Sequence, residues 1–192
     1  MVDEQKSYVI VMLCNLEEGG REKCAKYWSK SMKKYAIKEE KKKKGEKGEK
    51  DKNEFYKIRN LTLINNQTKE ERKIVQIHFK GWPDHGIPEI DDGSVFEAFI
   101  EMNKIVDENK KDGPIIVHCS AGVGRTGTFI SMYFLEKEIR SQIDNKKLKS
   151  IQINVFNLVR KLKEMRLYLV QSVAQYYFVY QFVSYLLLSL NQ

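Results

Sequence analysis

Cys119 and Arg125 are the pair in this chain whose types and spacing suit nucleophilic attack at phosphorus. A thiolate is a strong nucleophile, and a guanidinium is a planar fork that matches two oxygens of a phosphoryl group. Between them lie Ser120, Ala121, Gly122, Val123 and Gly124, whose two glycines let successive backbone N–H groups turn inward. Ile115, Ile116 and Val117 before the loop form a β-branched run that suits a buried strand. After it, Phe129, Ile130, Tyr133 and Phe134 recur at helical spacing. The loop therefore joins a strand to a helix N-terminus, where unpaired N–H groups and the helix dipole attract anions. Such surroundings lower a cysteine pKa from about 8.5 to roughly 3.5–7.5. Residues Ser120 to Arg125 are the candidate phosphate cradle, Thr126 can donate a hydrogen bond toward the thiolate, and His118 can orient the loop from behind. A lone cysteine is otherwise a small core hydrophobe. The glycine-punctuated filling and the strand–helix setting favour chemistry here.

The run His118-Cys119-Ser120-Ala121-Gly122-Val123-Gly124-Arg125-Thr126-Gly127 resembles the signature loop of the cysteine-dependent protein tyrosine phosphatases. Lys23-Cys24-Ala25-Lys26-Tyr27-Trp28 resembles a Lys-Cys-x-x-Tyr-Trp segment of their tyrosine-specific branch. Trp82-Pro83-Asp84-His85-Gly86-Ile87-Pro88 resembles that branch's mobile acid loop, and Gln171-Ser172-Val173-Ala174-Gln175-Tyr176 its glutamine loop. The segments stand in the family's order and span essentially the whole chain outside a lysine-rich tract. The resemblance implies an α/β fold with a central mixed twisted sheet flanked by helices.

It also implies a division of labour for removing phosphate from a phenol. Cys119 is the nucleophile that forms a phosphocysteine, Arg125 with the loop amides holds the phosphoryl oxygens, and Asp84 is the general acid and later the base. Trp82 and Pro83 before Asp84, with Gly86 and Pro88 after it, make a stiff and hinged loop suited to closing over a substrate. Taken alone, Pro-Asp-His-Gly is an ordinary turn signal. Gln171 matches the water-positioning glutamine and Gln175 the second glutamine of the motif; Ser172 with Gln175 also fits a capping box. Glu18 and Lys23 resemble a flanking loop that contacts the site. The scheme requires no metal and no cofactor, and its partners are phosphotyrosine-containing proteins.

The elements that must position these residues are legible in outline. The chain has 192 residues, 42% of them hydrophobic and 11% aromatic, enough for one packed domain. Tyr8 to Cys14 reads as a buried strand, and Phe55 to Ile64 and Lys73 to Phe79 as two strands joined by an Asn65-Asn66-Gln67-Thr68 turn. Ser94 with Glu97 opens a helix bearing Val95, Phe99, Met102 and Val106; another carries Val155, Val159 and Leu162, and a last helix runs from about Ser172 to Leu190. Lys38 to Lys52 holds eight lysines and five acidic residues, a composition that cannot bury itself and reads as a disordered surface loop. The formal net charge of +8 modestly favours anionic substrates, and nucleic acid is not an expected partner. Leu167 to Gln192 has no charged residue, but glutamines interrupt it, so a buried helix rather than a membrane span is expected. Three cysteines without framework spacing and no secretory pattern point to a reducing compartment: the cytoplasm, or the intracellular part of a longer receptor-type protein. Cys14 and Cys24 read as core residues.

Two departures from the family pattern are visible. The upstream helices and the Asn-Arg-Tyr type recognition loop have no counterpart, so the domain is expected to be incomplete at its N-terminus. Tyr168 stands where the family often has glycine, at the mouth of the pocket. The competing readings are a non-catalytic fragment that captures phosphoproteins, a phosphatase of broader specificity, and a fragmentary gene product.

Overall fold

Val9 to Met12 are four consecutive apolar residues, and all four are buried. A strand covered on both faces and both edges needs such a run. This strand, β1 (Val9–Met12), lies between β6 (Glu71–Phe79) and β7 (Ile115–His118) and is parallel to both. The register sets Val9 opposite Val75 and Ile115, and Met12 opposite His78 and His118. β6 turns back antiparallel to β5 (Tyr56–Asn65), which pairs antiparallel with β4 (Tyr35–Glu39). The result is a five-stranded mixed sheet in the order β4-β5-β6-β1-β7.

The computed structural model describes residues 1–29, 31–40, 53–83, 86–144 and 151–190. They group into two compact units, Met1–Asp84 with Ala98–Ser120, and His85–Glu97 with Ala121–Gln192. The first unit holds the whole sheet and a short hairpin, β2 (Glu17–Glu18) with β3 (Arg21–Glu22), followed by a 3₁₀ turn at Tyr27–Ser29. Helix α1 (Ser94–Asn109) lies in this unit from Ala98 onward, and Phe99 stacks on Phe79 at 4.6 Å with Trp82 edge-on to both rings. The second unit holds α2 (Gly124–Asp144), α3 (Val155–Met165) and α4 (Val173–Leu190). There Phe178, Val179, Phe182, Val183 and Leu186 form the buried stripe of α4, with Phe96 against Phe178 and Phe182.

The expected strands and helices are present, with boundaries moved by a few residues. The predicted hairpin is β5–β6, its turn held by the Asn65 side chain, which accepts hydrogen bonds from the Gln67 and Thr68 amides at 3.0 and 3.3 Å. The start of α1 differs from expectation. Asp92 accepts from the Ser94 amide at 2.9 Å, and Glu97 instead accepts from the Tyr185 hydroxyl at 2.8 Å, so Ser94 and Glu97 form no reciprocal box. Strand β4 also enters the lysine-rich tract. Lys38 and Glu39 pair with Thr62 and Leu61, because a two-residue extension satisfies backbone groups that β5 presents there. The remainder of the tract, residues 41–52, lies outside the described residues. Among the described residues, no helix is long and apolar enough to cross a membrane.

Candidate active site

In the first unit, β7 delivers Cys119. The strand's last residue, His118, still accepts from the Leu13 amide at 2.9 Å, so the β1–β7 ladder is intact up to the cysteine. Cys119 is 8% exposed, a thiol nearly out of water at the end of a strand. His118 directly precedes it in the chain. Its Nδ1 is 3.2 Å from the Cys119 carbonyl oxygen, and a carbonyl can only accept, so Nδ1 carries the proton. Its Nε2 then accepts from the Tyr27 hydroxyl at 2.8 Å. Burial holds the His118 pKa below the ordinary histidine range, which keeps the ring neutral.

Tyr27 belongs to the Lys23–Trp28 segment that the sequence singles out, and the structure gives that segment a physical task. Gln76 Nε2 donates to the Tyr27 oxygen at 2.7 Å, and burial pushes the phenol's pKa up, so Tyr27 stays protonated as a donor to His118. Arg59, opposite Gln76 across β5 and β6, donates to Gln76 Oε1 at 2.9 Å and to His78 Nδ1 at 3.1 Å. His78 Nε2 donates to the Cys14 carbonyl at 2.9 Å. Burial, then the neighbouring Arg59 charge, lowers the His78 pKa to about 4. The Arg59 guanidinium also lies over the Trp28 ring, 4.2 Å from its centre. Each donor meets an acceptor along this chain, which is the condition for placing polar side chains in a core. Sequence reading missed Gln76, His78 and Arg59; the available signal was a polar alternation, Gln76 and His78, on one face of the otherwise apolar run from Ile74 to Phe79.

Trp82 is buried against Phe79 and Phe99, which anchors the first residue of the Trp82–Pro88 segment. Asp84 and His85 lie outside the described residues. Glu18 is buried and accepts from the Asn15 amide at 2.9 Å, a structural bond within the segment between β1 and β3.

The second unit takes up the loop at Ala121. Gly122 has φ +71°, a conformation that a side chain makes costly, and α2 begins two residues later at Gly124. Arg125 and Thr126 occupy the first turn of α2, and Arg125 is 9% exposed. Arg166, at the end of α3, donates to the Ala121 carbonyl at 3.4 Å. Arg166 is a further residue that sequence reading missed, since an arginine at a helix end reads as a surface charge.

The glutamine loop lies against the start of α2. A Cβ on Gly124 would fall 2.9 Å from Gln175 Nε2 and 3.3 Å from Gln171 Oε1, so both predicted glutamines meet that helix end. Gln175 Oε1 accepts from the Gln171 and Ser172 amides at 2.9 and 3.4 Å, and Ser172 Oγ accepts from the Gln175 amide at 3.2 Å. This is the capping box expected from the sequence, and it fixes the backbone of Gln171. Before it, Tyr168 and Val170 hold φ values of +67° and +56°. Tyr168 is 68% exposed, which places the sequence's tyrosine-for-glycine departure in a left-handed backbone position. A groove of about 590 Å³ in this unit runs between α3 and α4, lined by Phe156, Val159, Leu167, Val170, Gln171 and Val173 among others.

Comparisons with known proteins agree with this architecture. The family model described as Protein-tyrosine phosphatase matches residues 1–185. Human receptor-type tyrosine-protein phosphatase alpha is 38% identical over 185 residues, covering 95% of this chain and 21% of that protein. Tyrosine-protein phosphatase 2 of Dictyostelium discoideum is 35% identical over 197 residues, covering 96% of this chain and 46% of that protein. This chain thus spans about a fifth to a half of these relatives' length. The crystal structure of the catalytic domain of human protein tyrosine phosphatase non-receptor type 18 superimposes with a TM-score of 0.77 at 28% identity, over 97% of this chain and 62% of that one. With a matching family model over nearly its whole length, a shared fold and a strand-to-helix cysteine loop, the chain belongs to the protein-tyrosine phosphatase family.

Proposed function

We propose that this chain hydrolyses phosphotyrosine in proteins through a phosphocysteine intermediate. The observation that carries the reading is the segment from Ile115 to Thr126: a strand ends at a buried cysteine, and the chain then opens a helix whose first turn bears a buried arginine. The Cys119 thiolate attacks phosphorus, an S–P bond forms, and the P–O bond to the tyrosyl ring breaks. Asp84 gives its proton to the departing phenolate oxygen; this role rests on the sequence alone. Arg125 and the amides of Ser120 to Arg125 hold the non-bridging oxygens, where charge shifts most in the transition state. A water placed by Gln171 then attacks phosphorus, Asp84 takes its proton, and the S–P bond breaks to return the thiolate and release inorganic phosphate. Gln175 keeps the Gln171 backbone in place, and neutral His118 steadies the cysteine carbonyl.

The names of the relatives support tyrosine phosphate as the substrate class. The same relatives support phosphotyrosine proteins as partners, and placement in the cytoplasm or in the intracellular part of a longer protein. The test is phosphate release from a phosphotyrosyl and a phosphoseryl peptide of one sequence. Wild type is expected to cleave only the first, and Cys119→Ser to bind it while losing at least about 10³-fold in rate. Equal release from the phosphoseryl peptide, or full activity after Cys119 is alkylated, overturns the reading.

A further inference from the structure

The polar cluster beneath β7 contains two thiols that the proposed reaction leaves unused. Among the described residues, Cys14, Cys24 and His118 form a trio that offers one ligand atom each, all within 4.8 Å of one another. From this convergence we infer that the first compact unit holds a zinc-binding site on the Cys14 and Cys24 sulfurs and the His118 ring, and that filling it inhibits the phosphatase reaction.

The trio comes from three separate elements, just after β1, just after β3 and at the end of β7. Two sulfurs and one imidazole are the donors that zinc prefers over harder cations. With Zn–S near 2.3 Å and Zn–N near 2.0–2.1 Å, tetrahedral ligand atoms lie about 3.5–3.8 Å apart. The trio therefore closes on an ion by an adjustment of no more than about 1.3 Å, within reach of side-chain rotation. The Cys24 thiol donates to the Ala25 carbonyl at 3.5 Å, a bond that zinc ligation replaces. Cys14 is 1% exposed, while Cys24 and His118 are half-buried.

The step balances without any redox partner. Each thiol loses a proton to solvent as its Zn–S bond forms, and the ring supplies the lone pair that now accepts from Tyr27. The displaced Tyr27 hydroxyl, or a water, fills the fourth position. Inhibition follows from the other ring nitrogen, which donates to the Cys119 carbonyl. Drawing the ring toward the two sulfurs strains that bond and shifts the cysteine's peptide. Binding stands on the trio alone; the inhibitory part rests on the proposed function.

The reduced full chain is titrated with Co²⁺, whose thiolate charge-transfer absorption reports sulfur ligation, and then with Zn²⁺ as competitor. The expected result is one equivalent bound, with about two protons released. Cys24→Ser, checked for folding by circular dichroism, weakens binding at least about 100-fold, since losing a ligand costs no less than losing an outer-shell partner. Cys119→Ser retains binding. Absence of the charge-transfer band, or a band that survives Cys24→Ser and vanishes in Cys119→Ser, overturns the site. Zn²⁺ is expected to inhibit wild-type hydrolysis at a concentration at least about 100-fold below that needed for Cys24→Ser. Zinc binding that leaves wild-type turnover unchanged overturns the inhibition. A chain inactive without metal would defeat the proposed function instead, and the cobalt spectrum would still decide the site.

Discussion

The strand that ends at Cys119 and the loop that carries Gln171 are held in place by different means. β7 is set by ladder register and by a chain of side-chain hydrogen bonds from Arg59 through Gln76 and Tyr27 to His118. The glutamine loop has no ladder. It is fixed by a capping box, by two left-handed non-glycine residues and by backbone pressed against α2. The first arrangement stores its precision in donors matched to acceptors, and the second in steric closeness. They should therefore fail under different insults: the polar chain under protonation, the loop under an added methyl group.

The largest effect is expected at Gly127. A Cβ there would lie 2.4 Å from the Val170 amide nitrogen and 2.9 Å from the Leu169 Cα, both backbone atoms that cannot swing aside. Gly127→Ala should cost about 3 kcal/mol in urea unfolding, at the upper end of overpacking penalties. A cost below about 0.5 kcal/mol would show that the loop is not sterically wedged. Next is the pH dependence of the polar chain. A histidine whose folded pKa is lowered to about 4 from 6.5 leaves the unfolded chain binding more protons between those values. Its contribution is therefore complete above pH 6.5 and is lost as pH falls toward 4. Comparing wild type with His78→Gln at pH 7 and pH 4.5 isolates it: wild type should lose about 2–3 kcal/mol more than the variant. Parallel losses in both proteins would remove His78 from the account.

The smallest effect sharpens the picture of the loop. Tyr168 occupies φ +67° with its side chain mostly in solvent, so Tyr168→Gly relieves backbone strain at little cost in buried surface. A gain of about 0.5–1 kcal/mol, read as a higher Tm, is expected. A lower Tm would mean that the tyrosine ring contributes more than its backbone angle costs.

The same contrast explains what could be read in advance. Strands β1, β5, β6 and β7 and helices α1 to α4 announce themselves by apolar period, and Cys119, Arg125, Gln171 and Gln175 by their place in motifs. The chain from Arg59 and Gln76 to Tyr27 and His118 did not: Tyr27 and His118 stand in motifs, but Arg59 and Gln76 look like ordinary polar residues on strands, and nothing in the sequence links positions so far apart. The β2–β3 hairpin is two residues per strand, too short for any period to register. The positive φ values at Tyr168 and Val170 were hidden for a different reason: neither residue type advertises a left-handed turn, and packing imposes it. Arg166 was illegible because its partner is a carbonyl, which has no residue identity.

The central place of β1 bears on how the protein is made. The strand is made before either of its neighbours, so Val9 must await Val75 for one edge and Ile115 for the other. Until then a fully apolar ribbon stands with open hydrogen-bonding edges, prone to pairing with the wrong neighbour. Because distant pairings close slowly, β7, which leads into Cys119, joins the sheet late in biosynthesis, after the other strands are in place.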